Sequence, residues 1–191
     1  VASGKSSVAQ ALGARLGVEV FSADACARDL ADHDPEARAE IAGVFGQDVF
    51  KPDGGLDRVR IREMVFADAE KRSRLEAILH PRIRARWVPL AREARGNGAW
   101  WVAEIPLLFE TGAEAELDGV IAVACSESVQ LERLARHRGL DPAVAGGIIG
   151  AQAPMAEKTA RADWVIWNDG TPAALERQVD WVEELLRQRY G

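Results

Sequence analysis

This sequence predicts an α/β fold, a parallel sheet in a three-layer arrangement with helices, interrupted by a long helical insert. Three observations carry that expectation. Short apolar runs at 100–105, 120–125 and 164–167 have the near-continuous hydrophobic character of strands buried on both faces. Segments with helical apolar spacing alternate with these runs, and such alternation favours a parallel sheet. From about residue 25 to residue 95 the chain reads as mainly helical, too long for a plain crossover between strands.

The first helix is set by Val8, Leu12 and Leu16. Immediately before it, Val1, Ala2, Ser3, Gly4, Lys5 and Ser6 read as the back half of G-x-x-x-x-G-K-[ST]. In that loop backbone N–H groups wrap nucleotide phosphates, the Lys reaches the outer phosphates, and the hydroxyl joins the coordination of Mg²⁺. The helix start behind the loop adds free N–H groups and a positive dipole end. The motif's first glycine and the strand that should feed it are not in this sequence, so the pattern predicts roughly ten further upstream residues, ending in Gly.

Residues 18–21 then form a short strand that ends at Ser22, Ala23 and Asp24, which puts Asp24 where open α/β sheets place their ligands. In the helical stretch, Asp34, Pro35 and Glu36 open one helix with Pro just inside its start. Pro52, Asp53, Gly54 and Gly55 form a turn. Asp57 caps a further helix, Asp68 caps one carrying Leu75, Ile78 and Leu79, and Pro81 opens another through Ile83, Trp87 and Leu90. After the second strand run, residues 128–138 form an arginine-rich helix, and the last helix, about 172–189, lines up Leu175, Val179, Val182, Leu185 and Leu186.

Bulk properties narrow the class. At 191 residues the chain is one domain, or one core with inserted parts. Its hydrophobic content of 48% and charged content of 28% are ordinary for a globular protein. A formal net charge of −6 argues against a nucleic-acid binder working through a broad basic surface. Cys26 and Cys125 form no metal-ligand or redox pattern and read as reduced, core-like thiols. No apolar run reaches membrane-spanning length, and a cytoplasmic enzyme fits these features.

Taken together, several motifs resemble the dephospho-CoA kinase family, P-loop kinases of the nucleoside-monophosphate-kinase type. The resemblance runs over essentially the whole chain. It rests on Ala2-Ser3-Gly4-Lys5-Ser6, on Ser22-Ala23-Asp24-Ala25-Cys26-Ala27-Arg28, on Leu79-His80-Pro81 and on Ile105-Pro106-Leu107-Leu108-Phe109-Glu110. Gln152 with Glu157-Lys158, and the run from Ala162 through Asn168-Asp169-Gly170, complete it. The chain departs from the family pattern at Ser22 and Glu104, where Asp is frequent, and at Ala2, where Gly is common. The resemblance implies a P-loop kinase fold with core segments at about 1–29, 96–126 and 160–191, a helical acceptor-binding insert at about 30–95 and a lid at about 127–159. It implies transfer of the ATP γ-phosphate to the ribose 3′-hydroxyl of dephospho-CoA, the last step of coenzyme A biosynthesis. The implied partners are Mg²⁺, ATP and dephospho-CoA, with no nucleic acid or membrane, acting as a monomer or weak homo-oligomer.

Phosphoryl transfer asks a protein mainly to position groups and neutralise charge. Val1 to Ser7 are the expected ATP-binding loop, with Lys5 on the outer phosphates and Ser6 on the metal. Asp24 is the candidate to orient or deprotonate the acceptor hydroxyl, and a helix N-cap is its bland alternative. Arg28, one turn on, either binds substrate phosphate or pairs with Asp24. The resemblance makes His80 an acceptor contact, together with Pro106, Leu107 and Glu110. Arg133 and Arg136 share a helix face and suit a lid closing on phosphates, Arg133 in a catalytic and ATP-contacting role, Arg136 toward the acceptor. Lys158 and Arg161 are weaker candidates of the same kind. Asn168 and Gly170 form a turn that could touch adenine or merely join strand to helix. Two rival readings remain open: a kinase of another small metabolite or nucleotide, and a non-catalytic nucleotide-binding regulator. Asp24, His80 and the arginines count against the regulator, which needs none of them.

Overall fold

The computed structural model describes residues Val1–Gly191. They form two units, Val1–Phe21 with Ala94–Gly191, and Ser22–Glu93.

The first unit opens on the loop 1–4 and helix α1 (Lys5–Leu16), followed by strand β1 (Val20–Ser22). The chain returns to this unit with β2 (Val102–Glu104) and β3 (Ile121–Ala124). Three helices follow, α6 (Glu127–Arg138), α7 (Pro142–Gly150) and α8 (Met155–Arg161), then β4 (Trp164–Trp167) and α9 (Pro172–Tyr190). The strands form two hydrogen-bonded pairs, β1 with β2 and β3 with β4. The β3–β4 pair is parallel, with Ile121 opposite Trp164 and Ala124 opposite Trp167. The mixed α/β architecture agrees with the expectation; the strands make two pairs where one continuous sheet was expected. An apolar groove of about 180 Å³ is lined by residues of both pairs, Val102 and Glu104 from one, Ile121 and Val123 from the other.

The core of this unit joins Val8 and Leu12 of α1 to Val123, Ile166 and the α9 stripe Val179, Val182 and Leu186. Full burial of each such side chain stabilises by about 1.5–3 kcal/mol. Arg15 fixes α1 to α9 from the rim, donating through Nε to Asp180 at 2.7 Å. β4 departs from the expected two-sided burial: Ile166 is buried, while Val165 and Trp167 are exposed.

The second unit is mainly helical, with one isolated antiparallel bridge between Phe50 and Leu56. It holds α2 (Ala23–His33), α3 (Pro35–Phe45), a 3-10 turn (Gln47–Val49), α4 (Arg58–Ala67) and most of α5 (Ala69–Gly96). Asp34 caps α3 through Ala37 N–H, with Pro35 in the first turn, and Asp57 caps α4. Eight buried residues make its centre: Ala31, Ala37, Ile41, Phe45, Val49, Leu56, Ile61 and Ile78. One expectation fails here. Pro81 does not open a new helix; α5 runs unbroken through both Pro81 and Pro89. A proline inside a helix removes one hydrogen bond and disfavours the helical conformation of the residue before it. Burial of Ile78, Ile83 and Trp87 along α5 outweighs that loss. Helix α7 carries little sequence signal, with Gly146, Gly147 and Gly150 in nine residues; Asp141 starts it by accepting from Ala143 N–H.

Candidate active site

The loop before α1 has an unusual backbone. Ala2 sits at φ 55°, and Gly4, the N-cap of α1, at φ 92°. A left-handed conformation costs a non-glycine residue about 1–2 kcal/mol, so the surroundings must hold Ala2 in place. Left-handed residues within a short loop turn successive N–H groups toward one concavity, the geometry of an anion nest. No side chain caps α1, and no acidic residue of the helix itself lies in its first turn. Gly4 is required for space as well as for φ: a Cβ there would collide with the Asn168 amide.

Three polar side chains hold this loop. Gln130 Nε2 donates to Val1 O at 2.6 Å, Arg133 Nη1 to Ala2 O at 3.2 Å, and Asn168 Nδ2 to Ser3 O at 2.7 Å. Arg133 Nη2 also donates to Asn168 O at 2.8 Å. Ser3, Gln130 and Asn168 are all buried. Asp169 completes the join by accepting from the backbone N–H of Ser126, the N-cap of α6, at 2.8 Å. That N–H bond holds the Asp169 carboxyl below the ordinary range. Arg133, expected on a lid over the phosphates, here binds two backbone oxygens with its guanidinium, one in the loop and one after β4.

At the start of α1, Ser6 Oγ donates to Glu104 Oε1 at 2.7 Å. Lys5 lines the apolar groove together with Glu104. A hydroxyl beside a carboxylate suits Mg²⁺, which takes one or two protein oxygens and completes its shell with water and substrate phosphates. The chain has no cluster of three or more His, Cys, Asp or Glu side chains of the kind an all-protein metal cage needs. Ser6 and Glu104 thus fit an ion brought in with a nucleotide.

The segment after β2 is tied to α8. Lys158 pairs with Glu110 at 3.2 Å, and Ala153 N–H donates to Glu110 Oε1 at 3.1 Å. Burial pushes the Glu110 carboxyl up; bonds from its own N–H, Ala153 N–H and Lys158 outweigh this and leave it below the ordinary range. Arg161 stacks over Phe109 at 4.7 Å and pairs with Glu114. Pro106 lines a second, smaller cavity with Val1, Ser3, Lys5 and Lys158. Leu107 gives its carbonyl to Thr111 Oγ1 at 2.8 Å. Gly170 and Arg136 are exposed, and Ser7 lies on the surface of the first turn of α1.

The remaining expected residues lie in the other unit. Asp24 is exposed in the first turn of α2. It is not the cap: Ser22 is, accepting from Ala25 N–H at 3.2 Å. Arg28 is exposed and His80 half-buried, inside α5 rather than at a helix boundary. Both cysteines are free thiols, pushed up by burial.

Sequence reasoning missed Gln130. Its one trace is its place four residues before buried Leu134, on the stripe of α6 where an apolar residue belongs.

A profile of the dephospho-CoA kinase family matches residues 1–174. The chain belongs to the dephospho-CoA kinase family. Its enzymes are ATP-binding transferases that catalyse the last step of coenzyme A biosynthesis. The dephospho-CoA kinase of Anaeromyxobacter dehalogenans is 46% identical over 100% of this chain and 90% of its own length. That of Methylococcus capsulatus is 41% identical over 100% of this chain and 93% of its own. Among solved structures, TT1252 from Thermus thermophilus superposes with a TM-score of 0.75 at 35% identity, covering 97% of this chain and 93% of that one. The dephospho-CoA kinase of Campylobacter jejuni gives a TM-score of 0.71 at 27% identity, covering 98% and 94%.

Proposed function

We propose that this chain phosphorylates the ribose 3′-hydroxyl of dephospho-CoA with ATP, through a phosphate site formed by the loop 1–4 and the first turn of α1. The observation that carries this reading is the loop itself: left-handed Ala2 and Gly4, carbonyls held away by side chains, and Lys5 and Ser6 at the uncapped start of α1. Family membership supplies the acceptor.

In this reading the N–H groups of the loop take the β- and γ-phosphate oxygens, and the Lys5 ammonium follows the charge that builds on the bridging oxygen. Ser6 and Glu104 hold Mg²⁺, which neutralises phosphate charge when bound. Asp24 accepts the proton of the 3′-hydroxyl as its oxygen bonds to the γ-phosphorus. The bond from that phosphorus to the bridging oxygen breaks, and ADP leaves. Arg28, His80, Pro106 and Leu107 contact the acceptor. Glu110 orders the loop after β2 through Lys158, and Arg136, exposed on α6, reaches substrate phosphate. Gly170 lies in the turn that borders the adenine. The finer architecture that goes with this is the three-layer P-loop kinase fold, with an acceptor-binding helical insert and a lid built from α6 to α8. The enzyme works in the cytoplasm on small molecules, as a monomer or weak homo-oligomer. No helix is long and apolar enough to cross a membrane, and the net charge is −6.

The test is ADP release by purified protein with dephospho-CoA, adenosine, AMP or no acceptor, with products identified by mass spectrometry. A product one phosphate heavier than dephospho-CoA, and ADP release dependent on it, are expected. ADP release indifferent to dephospho-CoA, or driven better by another acceptor, overturns the assignment.

A further inference from the structure

We infer that Gln130, Arg133 and Asn168 are positioning residues that set the direction of the phosphate loop's N–H groups. This deepens the reading above and rests on it. The three side chains take the carbonyls of three consecutive residues, Val1, Ala2 and Ser3. A trans peptide is planar, and its N–H points opposite to its C=O. Holding those carbonyls on one side therefore turns the N–H groups of Ala2, Ser3 and Gly4 to the other. None of these three N–H groups has a partner within the chain.

The arrangement acts as one clasp. Arg133 bonds Ala2 O and Asn168 O together, so α6 and the turn after β4 hold the loop jointly. Asp169 fastens that same turn to Ser126 at the start of α6. Asn168 is buried, its Nδ2 lies on Ser3 O, and its amide fills the space beside Gly4. Its side chain is thus engaged with the loop and not with a base. The clasp supplies the constraint that the left-handed Ala2 requires. Its effect is to prepare the nest before any nucleotide arrives, so that binding does not have to order it.

The experiment uses the full chain with Gln130→Glu and Asn168→Asp, each nearly isosteric and each replacing the amide donor by an acceptor facing a carbonyl. Calorimetry measures binding of inorganic tripolyphosphate, which has no base, and of ATP; melting temperature and kcat at saturating ATP are read in parallel. Each variant is expected to weaken tripolyphosphate and ATP by the same factor, about tenfold, the size of one lost hydrogen bond. kcat at saturation should change much less. Should Gln130→Glu fail to fold, Gln130→Met removes the donor without adding charge, and the same tenfold loss is expected. Unchanged tripolyphosphate binding in folded variants, with only a lower melting temperature, overturns the clasp. So does weakening confined to ATP, which would make Asn168 a base contact. Wild-type protein that binds neither tripolyphosphate nor ATP overturns the phosphate-site reading itself, and the clasp with it.

Discussion

The Val1–Ser7 end of one unit and the Ser22–Glu93 unit differ in how deeply their polar side chains are buried. Around the loop, buried Gln130 and Asn168 and half-buried Arg133 each donate to a backbone carbonyl, and the backbone is bent into a conformation it would not adopt alone. In the helical unit no polar side chain is fully buried; half-buried Arg38 donates to Asp32 O at 2.8 Å and Gly54 O at 2.6 Å, and the other polar groups work at the rim. Arg82 pairs with Glu40, Arg74 with Glu70, and Asp34 and Asp57 cap helices. Its functional candidates Asp24 and Arg28 stand exposed at the surface. The difference teaches where precision is needed. Backbone that must bind an anion has to be fixed by directional bonds, whereas a helical unit that presents side chains is served well enough by packing.

That contrast can be broken most forcefully at Lys5. Lys5→Ala is expected to lower kcat by roughly 10³-fold, because one preorganised cation is lost where phosphate charge moves. The melting temperature should stay near wild type. Near-normal turnover by a folded Lys5→Ala protein would remove the loop from the chemistry.

In the other unit the corresponding large effect is on stability. Ile41 is fully buried at the centre of its cluster. Ile41→Ala should cost about 2–5 kcal/mol by denaturant unfolding, with tripolyphosphate binding per folded molecule unchanged. A parallel loss of phosphate binding would show that the two ends are not separable in this way.

A smaller, pH-dependent effect is expected at Glu110. Its carboxyl lies below the ordinary glutamate range in the folded chain. The stability it contributes is therefore present above the unfolded pKa and disappears as pH falls through the lower, folded value. Glu110→Gln should flatten the acid limb of stability against pH and leave stability near neutrality lower. An unchanged acid limb would mean that the Lys158 and Ala153 contacts do not stabilise the charged form. The smallest effect belongs to the rim: Arg74→Ala removes an exposed i,i+4 pair with Glu70 and should cost less than about 0.5 kcal/mol.

How much was legible in the sequence follows the same division. Caps such as Asp34 and Asp57, the stripe of α9 and the Gly4-Lys5-Ser6 start of α1 were readable because each is a local signal of spacing or residue type. The helix running through Pro81 was not, because burial of Ile83 and Trp87 overrides a local rule. The clasp was not readable either. Gln130 and Arg133 reach residues more than 120 positions away, and no local pattern encodes such a contact. In the sequence Glu104 stands out only as a departure from the family's frequent Asp; that it takes the Ser6 hydroxyl needs coordinates.

The most direct test of the division between a clasped phosphate loop and a separately supplied acid–base group is Asp24→Asn. Ser22 caps α2, so the substitution should not unfold that helix. The measurement pairs kcat for dephospho-CoA phosphorylation with calorimetric binding of ATP on the same folded preparation. A fall in kcat of roughly 10²-fold or more is expected, with ATP affinity within about twofold of wild type. An unchanged kcat, or ATP affinity falling in step with kcat, would contradict it.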